Sequence, residues 1–103
     1  MGDNKKTYAQ LITDEMGKTI KESIGEIEKC QAMTDYVIKH ALDFLADEHL
    51  ESKFKEAYVT YHPLGVILGI MPWNFPFWLP FKVLMPALVL GNPILLKHAH
   101  SVP

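Results

Sequence analysis

The chain has 103 residues, of which 49% are hydrophobic and 21% charged, a composition typical of globular proteins and unlike that of disordered or collagen-like chains. Its net charge of −2 gives no electrostatic reason to expect nucleic acid or an anionic membrane as a partner. Cys30 is the single cysteine and there is no arginine, which excludes an intramolecular disulfide and a planar bidentate clamp for a carboxylate or phosphate within this chain.

Two amphipathic helices are predicted in the first half of the chain. The first spans about residues 4–15, where apolar residues recur every three or four positions, and Gly17 is a plausible stop. The second spans about residues 19–47, and Thr19 with Glu22 matches a capping box at its start. Its predicted buried face combines two rows: Ile20, Ile24, Ile27, Ile38, Ala41 and Leu45, and beside them Cys30, Met33, Val37 and Phe44.

The second half changes to strand-like patterns. Residues 57–62 are aromatic and β-branched, which favours a strand. Residues 66–71 form an apolar run without alternation, typical of a strand buried on both faces of a parallel sheet. A helix over 77–90 and a strand over 93–97 follow. The order strand, helix, strand predicts one β-α-β unit with parallel strands and a right-handed crossover.

The distribution of charge separates the two halves. Residues 1–58 hold all twelve acidic residues and eight of the ten lysines, whereas residues 59–103 hold two lysines and all seven prolines. We therefore divide the chain into a helical part, residues 1–56, and the start of a sheet, residues 57–103. Because a parallel sheet needs several strands covered on both faces, we expect an incomplete piece of a doubly wound α/β protein.

Membrane insertion and secretion are not expected. The charge-free residues 57–81 are numerous enough to span a bilayer. Four prolines interrupt them, however, and would leave helical carbonyl groups without partners in lipid. The polar residues 1–10 lack the apolar core of a secretory signal. We therefore predict a cytoplasmic protein.

Residues around two strand ends could carry chemistry. Ligands of doubly wound folds bind at the carboxyl ends of the strands, where Trp73, Asn74 and Lys97 are predicted to lie. A buried Asn amide is a preorganised N–H donor of the kind that stabilises an oxyanion, and Lys97 could donate to a ribose hydroxyl or a phosphate. In the alternative interpretation, Asn74 has no role beyond capping a turn, and the Lys97 side chain is solvated. No metal site is predicted.

Three motifs occur in a characteristic order. They are P-L-G-V-I-x-x-I-x-P-W-N-F-P at residues 63–76, P-A-L-x-x-G-N at 86–92 and L-L-K at 95–97. In this order and spacing they resemble the aldehyde dehydrogenase superfamily, and the ending L-K-H-A-H-S-V-P is similar to its succinate-semialdehyde dehydrogenase branch. Family members are several times longer. The resemblance therefore implies an internal stretch, with residues 57–103 forming the start of the NAD(P)-binding sheet.

The resemblance also implies a reaction and roles for particular residues. The complete enzyme would oxidise a small aldehyde, such as succinate semialdehyde, to the carboxylic acid with NAD or NADP, and would usually be a homo-oligomer. A cysteine thiolate would attack the aldehyde and Asn74 would hold the resulting oxyanion. Lys97 would bind the adenosine ribose. The nicotinamide-ribose side of the cofactor site would be lined by Ile70, Met71, Pro72 and Trp73.

Other features limit what the resemblance implies. The nucleophile and the general-base glutamate would lie outside this chain, so the isolated chain is expected to be inactive, and Cys30 is expected only to pack. His100 stands where many NAD-preferring relatives carry a glutamate, which leaves the choice between NAD and NADP open. The alternative function is a non-catalytic interaction module that associates with full-length subunits.

Overall fold

The computed structural model describes residues 4–103; residues 1–3, part of the polar start considered above, lie outside the described residues. Within the described residues, three helices and four short strands follow one another. They are α1 (Lys5–Met16), α2 (Ile20–Leu45), β1 (Glu48–His49), β2 (Tyr58–Val59), β3 (Ile67–Ile70), α3 (Trp78–Val89) and β4 (Ile94–Lys97). The prediction of an α/β chain with two leading helices and one β-α-β unit is confirmed.

The two leading helices begin and end where local chemistry predicts. Gly17 follows α1 with a φ of +86°, a left-handed conformation that glycine adopts without steric cost. At the start of α2, the Thr19 hydroxyl accepts from the Glu22 amide at 3.3 Å, and the Glu22 carboxylate accepts from the Thr19 amide at 3.1 Å. The hydrogen bonds from Thr19 also hold the pKa of Glu22 below its ordinary value. The predicted capping box is thus confirmed.

Helix α2 is buried only along its first half. It packs against α1 on one side and α3 on the other, which buries Ser23, Glu26, Ile27 and Cys30. Ile20 is 42%, Ile38 71% and Phe44 61% exposed, so the prediction of a buried face is wrong at these three positions. The other members of the two rows are buried or half-buried. Along the second half of α2, the end of α3 and Tyr61 line only an open apolar cavity with Val37, Ala41 and Leu45, so the side chains that point away from this cavity stay exposed.

The strands form two separate pairs. β3 and β4 are parallel, with Ile67 opposite Ile94 and Ile70 opposite Lys97, as predicted. β1 and β2 are antiparallel, and here the structure differs from expectation: the strand predicted over 57–62 shrinks to Tyr58–Val59, and its partner Glu48–His49 was not predicted. This small ladder crosses the proposed boundary between residues 56 and 57, which remains a prediction.

The parallel pair is covered on one face only. α3 packs against the face that carries Gly69 and Leu96. The opposite face, which we call the open face, consists of Leu68, Ile70, Leu95 and Lys97. Its three apolar side chains are 60–66% exposed, so the strands are not buried on both faces as their sequence predicts. A single crossover helix can cover only one side of a sheet.

Asn92 fixes the entrance to β3. Its side chain is 3% exposed, and its Oδ1 accepts hydrogen bonds from the amides of Leu64 at 2.6 Å and Gly65 at 3.0 Å. The end of α3 is thereby tied to the turn before β3. Gly65 adopts a φ of +106° in that turn, a region that L side chains rarely occupy.

The proline-rich region does not form a membrane span. Pro80 lies in the first turn of α3, where a missing amide is tolerated. Pro86 lies inside the helix, which nevertheless continues to Val89. Within residues 4–103, no helix has both the length and the apolar character needed to cross a bilayer.

Candidate active-site turn

The turn between β3 and α3 lies at the carboxyl edge of the parallel pair. The Met71 amide donates to the Lys97 carbonyl at 3.0 Å, which extends the ladder by one residue beyond Ile70. The chain then leaves the sheet through residues 72–77 and enters α3 at Trp78. The turn therefore starts beside the end of β4, at the edge where ligands of doubly wound folds bind.

The structure brings some of the predicted cofactor residues together. Ile70 and Lys97 are direct cross-strand neighbours on the open face, and both are exposed. Pro72 and Trp73 are exposed in the turn that follows. Met71 is only 8% exposed and lies against the face carrying Gly69, where an added Cβ would meet its Cε at 2.9 Å. Met71 thus faces away from Ile70 and Lys97.

Asn74 is held by its backbone and presents its side chain. Its carbonyl accepts a hydrogen bond from Lys18 Nζ at 3.1 Å. The residue is exposed, and its side-chain amide makes no hydrogen bond to any residue in 4–103. The alternative interpretation, in which the Asn74 side chain caps the turn, is therefore not what the structure shows. The amide is available to a ligand.

A buried ion pair supports this turn from α2. Lys18 Nζ lies 2.5 Å from Glu26 Oε2, and the two side chains are 9% and 1% exposed. The other carboxylate oxygen, Glu26 Oε1, accepts from the amides of Phe77 at 2.8 Å and Trp78 at 2.9 Å. The Lys18 ammonium also lies 4.1 Å from the centre of the Phe75 ring. One ion pair thus contacts the turn at its middle and at its end.

The same carboxylate occupies the N-terminus of α3. Free amides at a helix N-terminus commonly bind phosphate, but here Glu26 Oε1 accepts from the first of them. The chain also lacks the G-x-G-x-x-G fingerprint of common dinucleotide-binding turns. A pyrophosphate is therefore not expected at this helix, in contrast to the ordinary dinucleotide-binding unit.

Sequence reasoning missed the roles of Lys18 and Glu26. A clue was present for Glu26, which precedes Cys30 by four positions and so lies on the same face of α2. An acidic residue on a row with a buried cysteine needs a partner. Nothing in the spacing of Lys18, eight residues earlier, identified that partner, and the contacts with residues 74–78 required the tertiary fold.

Cys30 is a packing residue in this structure. It is 0% exposed, and burial, reinforced by the negative charge of Glu26, raises the pKa of its thiol to about 12. Since the thiolate is the nucleophilic form of cysteine, the Cys30 sulfur is both inaccessible and protonated near neutral pH. Both properties argue against a catalytic role.

We expect Cys30 of the native chain to react with Ellman's reagent at pH 7.5 on the order of a thousandfold more slowly than in concentrated urea, because unfolding exposes the thiol and restores its ordinary pKa. The rates can be followed by the absorbance of the released thiolate. A native rate within tenfold of the unfolded rate would contradict the burial seen here.

Comparison with known proteins identifies the family. The family model described as "Aldehyde dehydrogenase family" matches residues 1–103. The chain belongs to the aldehyde dehydrogenase family. The resemblance read from the three motifs is thereby confirmed, and the turn at residues 71–77 lies in the part of an aldehyde dehydrogenase that this chain represents.

Individual aldehyde dehydrogenases match over nearly the whole chain. A probable NADP(+) succinate-semialdehyde dehydrogenase of Synechocystis sp. is 47% identical over 96 residues, which cover 93% of this chain and 21% of that protein. The NADP(+) succinate-semialdehyde dehydrogenase of Mycobacterium avium is 44% identical over 98 residues, covering 92% and 21%. The chain therefore spans about a fifth of the length of these curated relatives.

Solved structures have the same fold over this segment. The succinic semialdehyde dehydrogenase of Streptococcus pyogenes in complex with NADP+ superimposes with a TM-score of 0.93 at 38% identity, covering 98% of this chain and 22% of that one. The structure described for cofactor and substrate selection by Gox0499 gives a TM-score of 0.96 at 35% identity, covering 99% and 22%. An incomplete, aldehyde-dehydrogenase-like fold is thus confirmed.

Proposed function

We propose that this chain is a segment of an NADP-dependent aldehyde dehydrogenase that oxidises succinate semialdehyde to the acid, and that Asn74 contributes an N–H donor to the oxyanion formed when the aldehyde is attacked. The observation that carries the proposal is the state of Asn74. Its backbone carbonyl is bound by a buried lysine, while its side-chain amide is free and exposed. The backbone of Asn74 is thus anchored, and its amide is open to a ligand, where an N–H donor would stabilise charge that develops in a transition state.

The carboxyl edge of the parallel pair offers a place for the cofactor, which when bound accepts the hydride of the aldehyde. Ile70 and Lys97 would contact it from the open face, and the exposed Pro72 and Trp73 from the turn. Met71 would act only indirectly: its side chain is buried, and its amide, bound to the Lys97 carbonyl, holds the start of the turn beside β4. The Lys97 ammonium is exposed, and its hydrogen bond goes to the neighbouring His98 carbonyl at 3.1 Å, so it can reach a ribose or its phosphate.

The preference for NADP has physical support in the charges of the second half. Residues 59–103 contain no acidic residue, so none of them would repel a 2′-phosphate. His100, at the position where a glutamate would discriminate against that phosphate, is exposed. The names of the two curated relatives and of the Streptococcus pyogenes structure also include NADP.

The nucleophile and the substrate clamp would come from outside this chain. Cys30 is the only thiol, and it is buried. A carboxylate such as that of succinate semialdehyde is commonly bound by arginine, which the chain lacks. The identity of the substrate therefore depends on the similarity to the succinate-semialdehyde dehydrogenases.

A hybrid enzyme tests this function. In the hybrid, the matching 96-residue segment of the Synechocystis protein is replaced by the corresponding residues of this chain. We expect succinate-semialdehyde-dependent NADPH formation by the hybrid, measured as absorbance at about 340 nm, and none by the isolated chain, which lacks an accessible thiol. A folded hybrid that shows no such activity would contradict the proposal, as would activity of the isolated chain that Asn74→Ala abolishes.

A second candidate, an interaction module, has one supporting observation. The C-terminal half of α2 exposes Ile38, Leu42 and Phe44, which are 61–84% exposed, and uncovered apolar stripes of this kind favour association. Co-purification of the isolated chain with an intact family member, without any change in its catalysis, would favour this function. A monodisperse monomer that binds no family member would exclude it.

A further inference from the structure

We propose that Lys18 and Glu26 form a positioning pair for Asn74: together they set the geometry of the turn and thereby the place of the oxyanion donor. This inference rests on the proposed function, because it assigns the pair a role in the reaction of that same site. Both side chains are nearly fully buried and hydrogen-bond to the backbone of the turn, so both would act through Asn74.

Both side chains of the pair are buried. The two side chains are 9% and 1% exposed and their charged atoms are 2.5 Å apart. A buried charge that loses its partner is strongly destabilising, whereas an intact buried pair often adds little to stability compared with apolar residues of the same volume. Stability alone therefore gives a weak reason for an ion pair at this position, and a geometric role gives a better one.

The remaining donors and acceptors of Lys18 and Glu26 bind the backbone of the turn. Lys18 donates to the Asn74 carbonyl at 3.1 Å in addition to Glu26. Glu26 contacts Lys18 through one carboxylate oxygen. Its other oxygen accepts one hydrogen bond from the backbone amide of Phe77 and one from that of Trp78. Both members of the pair thus bind the backbone on either side of Phe75, and these bonds are not needed to keep the pair itself together.

The turn is held at three places. Its start is fixed to the sheet by the Met71 amide, its middle by Lys18 and its end by Glu26. An oxyanion donor must lie about 2.7–3.1 Å from the oxygen it stabilises, and a misplacement of about 1 Å can lower a rate about a hundredfold. Releasing the middle or the end of the turn would allow a movement of this size at Asn74.

The test uses the hybrid enzyme described above. We expect Lys18→Met and Glu26→Gln each to lower kcat about tenfold to a hundredfold, with the KM for NADP+ changed less than about twofold. Glu26→Gln retains a carbonyl oxygen for the Phe77 and Trp78 amides and removes only the charge. The exposed pair Lys5–Glu28, 2.8 Å apart, gives matched controls: Lys5→Met and Glu28→Gln should leave kcat unchanged.

Combining these changes with Asn74→Ala distinguishes the positioning role from a merely structural one. If the pair acts through Asn74, adding Lys18→Met or Glu26→Gln to Asn74→Ala should lower kcat by less than about twofold further. Losses that multiply in the double variants would overturn the proposal. So would a loss of kcat explained by a smaller fraction of active enzyme, measured by titration of active sites.

One further variant, Glu26→Asp, keeps the test decisive. Where a neutral variant does not fold, Glu26→Asp retains the charge and shortens the side chain by one methylene. It should lower kcat about tenfold without changing the KM for NADP+, and a wild-type kcat would overturn the proposal. If Asn74→Ala itself leaves kcat unchanged, the oxyanion role fails. If Asn74→Ala lowers kcat while the Lys18 and Glu26 variants do not, only the positioning role fails.

The turn can also be observed directly in the full 103-residue chain. Its two tryptophans, Trp73 and Trp78, flank Asn74, so their fluorescence reports on this segment. At low micromolar protein concentration, Lys18→Met should increase the quenching of this fluorescence by acrylamide by half or more, and Lys5→Met should not. Equal quenching in all three proteins would show that Lys18 does not hold the turn.

Discussion

Replacing Asn74 by alanine in the hybrid enzyme should lower kcat about 10²–10³-fold and leave the KM for NADP+ within about twofold of its original value. The removed amide would act on the oxyanion in the transition state and not on the bound cofactor, and the loss of one such donor typically has this size. Steady-state kinetics with succinate semialdehyde as the varied substrate, at saturating NADP+, measure both quantities.

The chain offers a matched control for this substitution. Asn4 is exposed and makes no side-chain hydrogen bond to α1, although it is the residue before that helix, so Asn4→Ala should leave kcat unchanged. Asn74→Asp replaces the donor with a negatively charged acceptor and should lower kcat at least as much as alanine does. A kcat of Asn74→Ala within threefold of the parent would remove the oxyanion role.

The open face of the parallel pair is expected to dominate the behaviour of the isolated chain. Leu68, Ile70 and Leu95 are 60–66% exposed on adjacent strands, and contiguous apolar surface of this kind promotes aggregation. We expect Leu68→Thr with Leu95→Thr to raise the soluble concentration of the chain about tenfold and to reduce its binding of the dye ANS. Threonine is β-branched, a shape that suits a strand, and its hydroxyl makes the side chain more polar than leucine.

A change elsewhere on the surface separates this effect from a general loss of hydrophobicity. Leu42 on α2 is 84% exposed, and Leu42→Gln should have a smaller effect on solubility than the double change on the open face. If Leu42→Gln alone makes the chain soluble and the double threonine variant still aggregates, the open face is not the cause.

The same double substitution should have the opposite effect in the hybrid. Parallel sheets are normally covered on both faces, and the remaining four-fifths of the relatives' length is available to cover the open face. Loss of two buried leucines should then lower the free energy of unfolding by several kcal/mol, since each typically contributes about 2–5 kcal/mol. A lower Tm in thermal unfolding would show it, and an unchanged Tm would indicate that this face stays in contact with water.

The parts of the fold that local chemistry determines were predictable. Gly17 and Thr19 mark the end of α1 and the start of α2, and both boundaries lie within two residues of their predicted places. The β-α-β unit was equally clear from its apolar runs. Glu48 and His49 form a strand only because Tyr58 and Val59 pair with them, and nothing in the two residues themselves indicates it.

The candidate site shows the same division between local and long-range information. The position of Asn74 at the end of β3 followed from the apolar strand and the turn after it, and its role from the resemblance to the family. The support beneath it could not be predicted, because Lys18 and Asn74 are 56 positions apart. The apolar rows predicted the burial of Cys30 but not that of Glu26, whose charge argued against an interior position.

The separation in sequence between Glu26 and its backbone partners determines when the turn can form during synthesis. Phe77 and Trp78 follow Glu26 by 51 and 52 residues, an interval that takes roughly 3–10 s at the usual 5–20 residues per second of synthesis. Until both residues have been added, Glu26 lacks the two amides that it binds in the folded chain. The turn that carries Asn74 can therefore take its final shape only after α3 has been synthesised and has docked against α2.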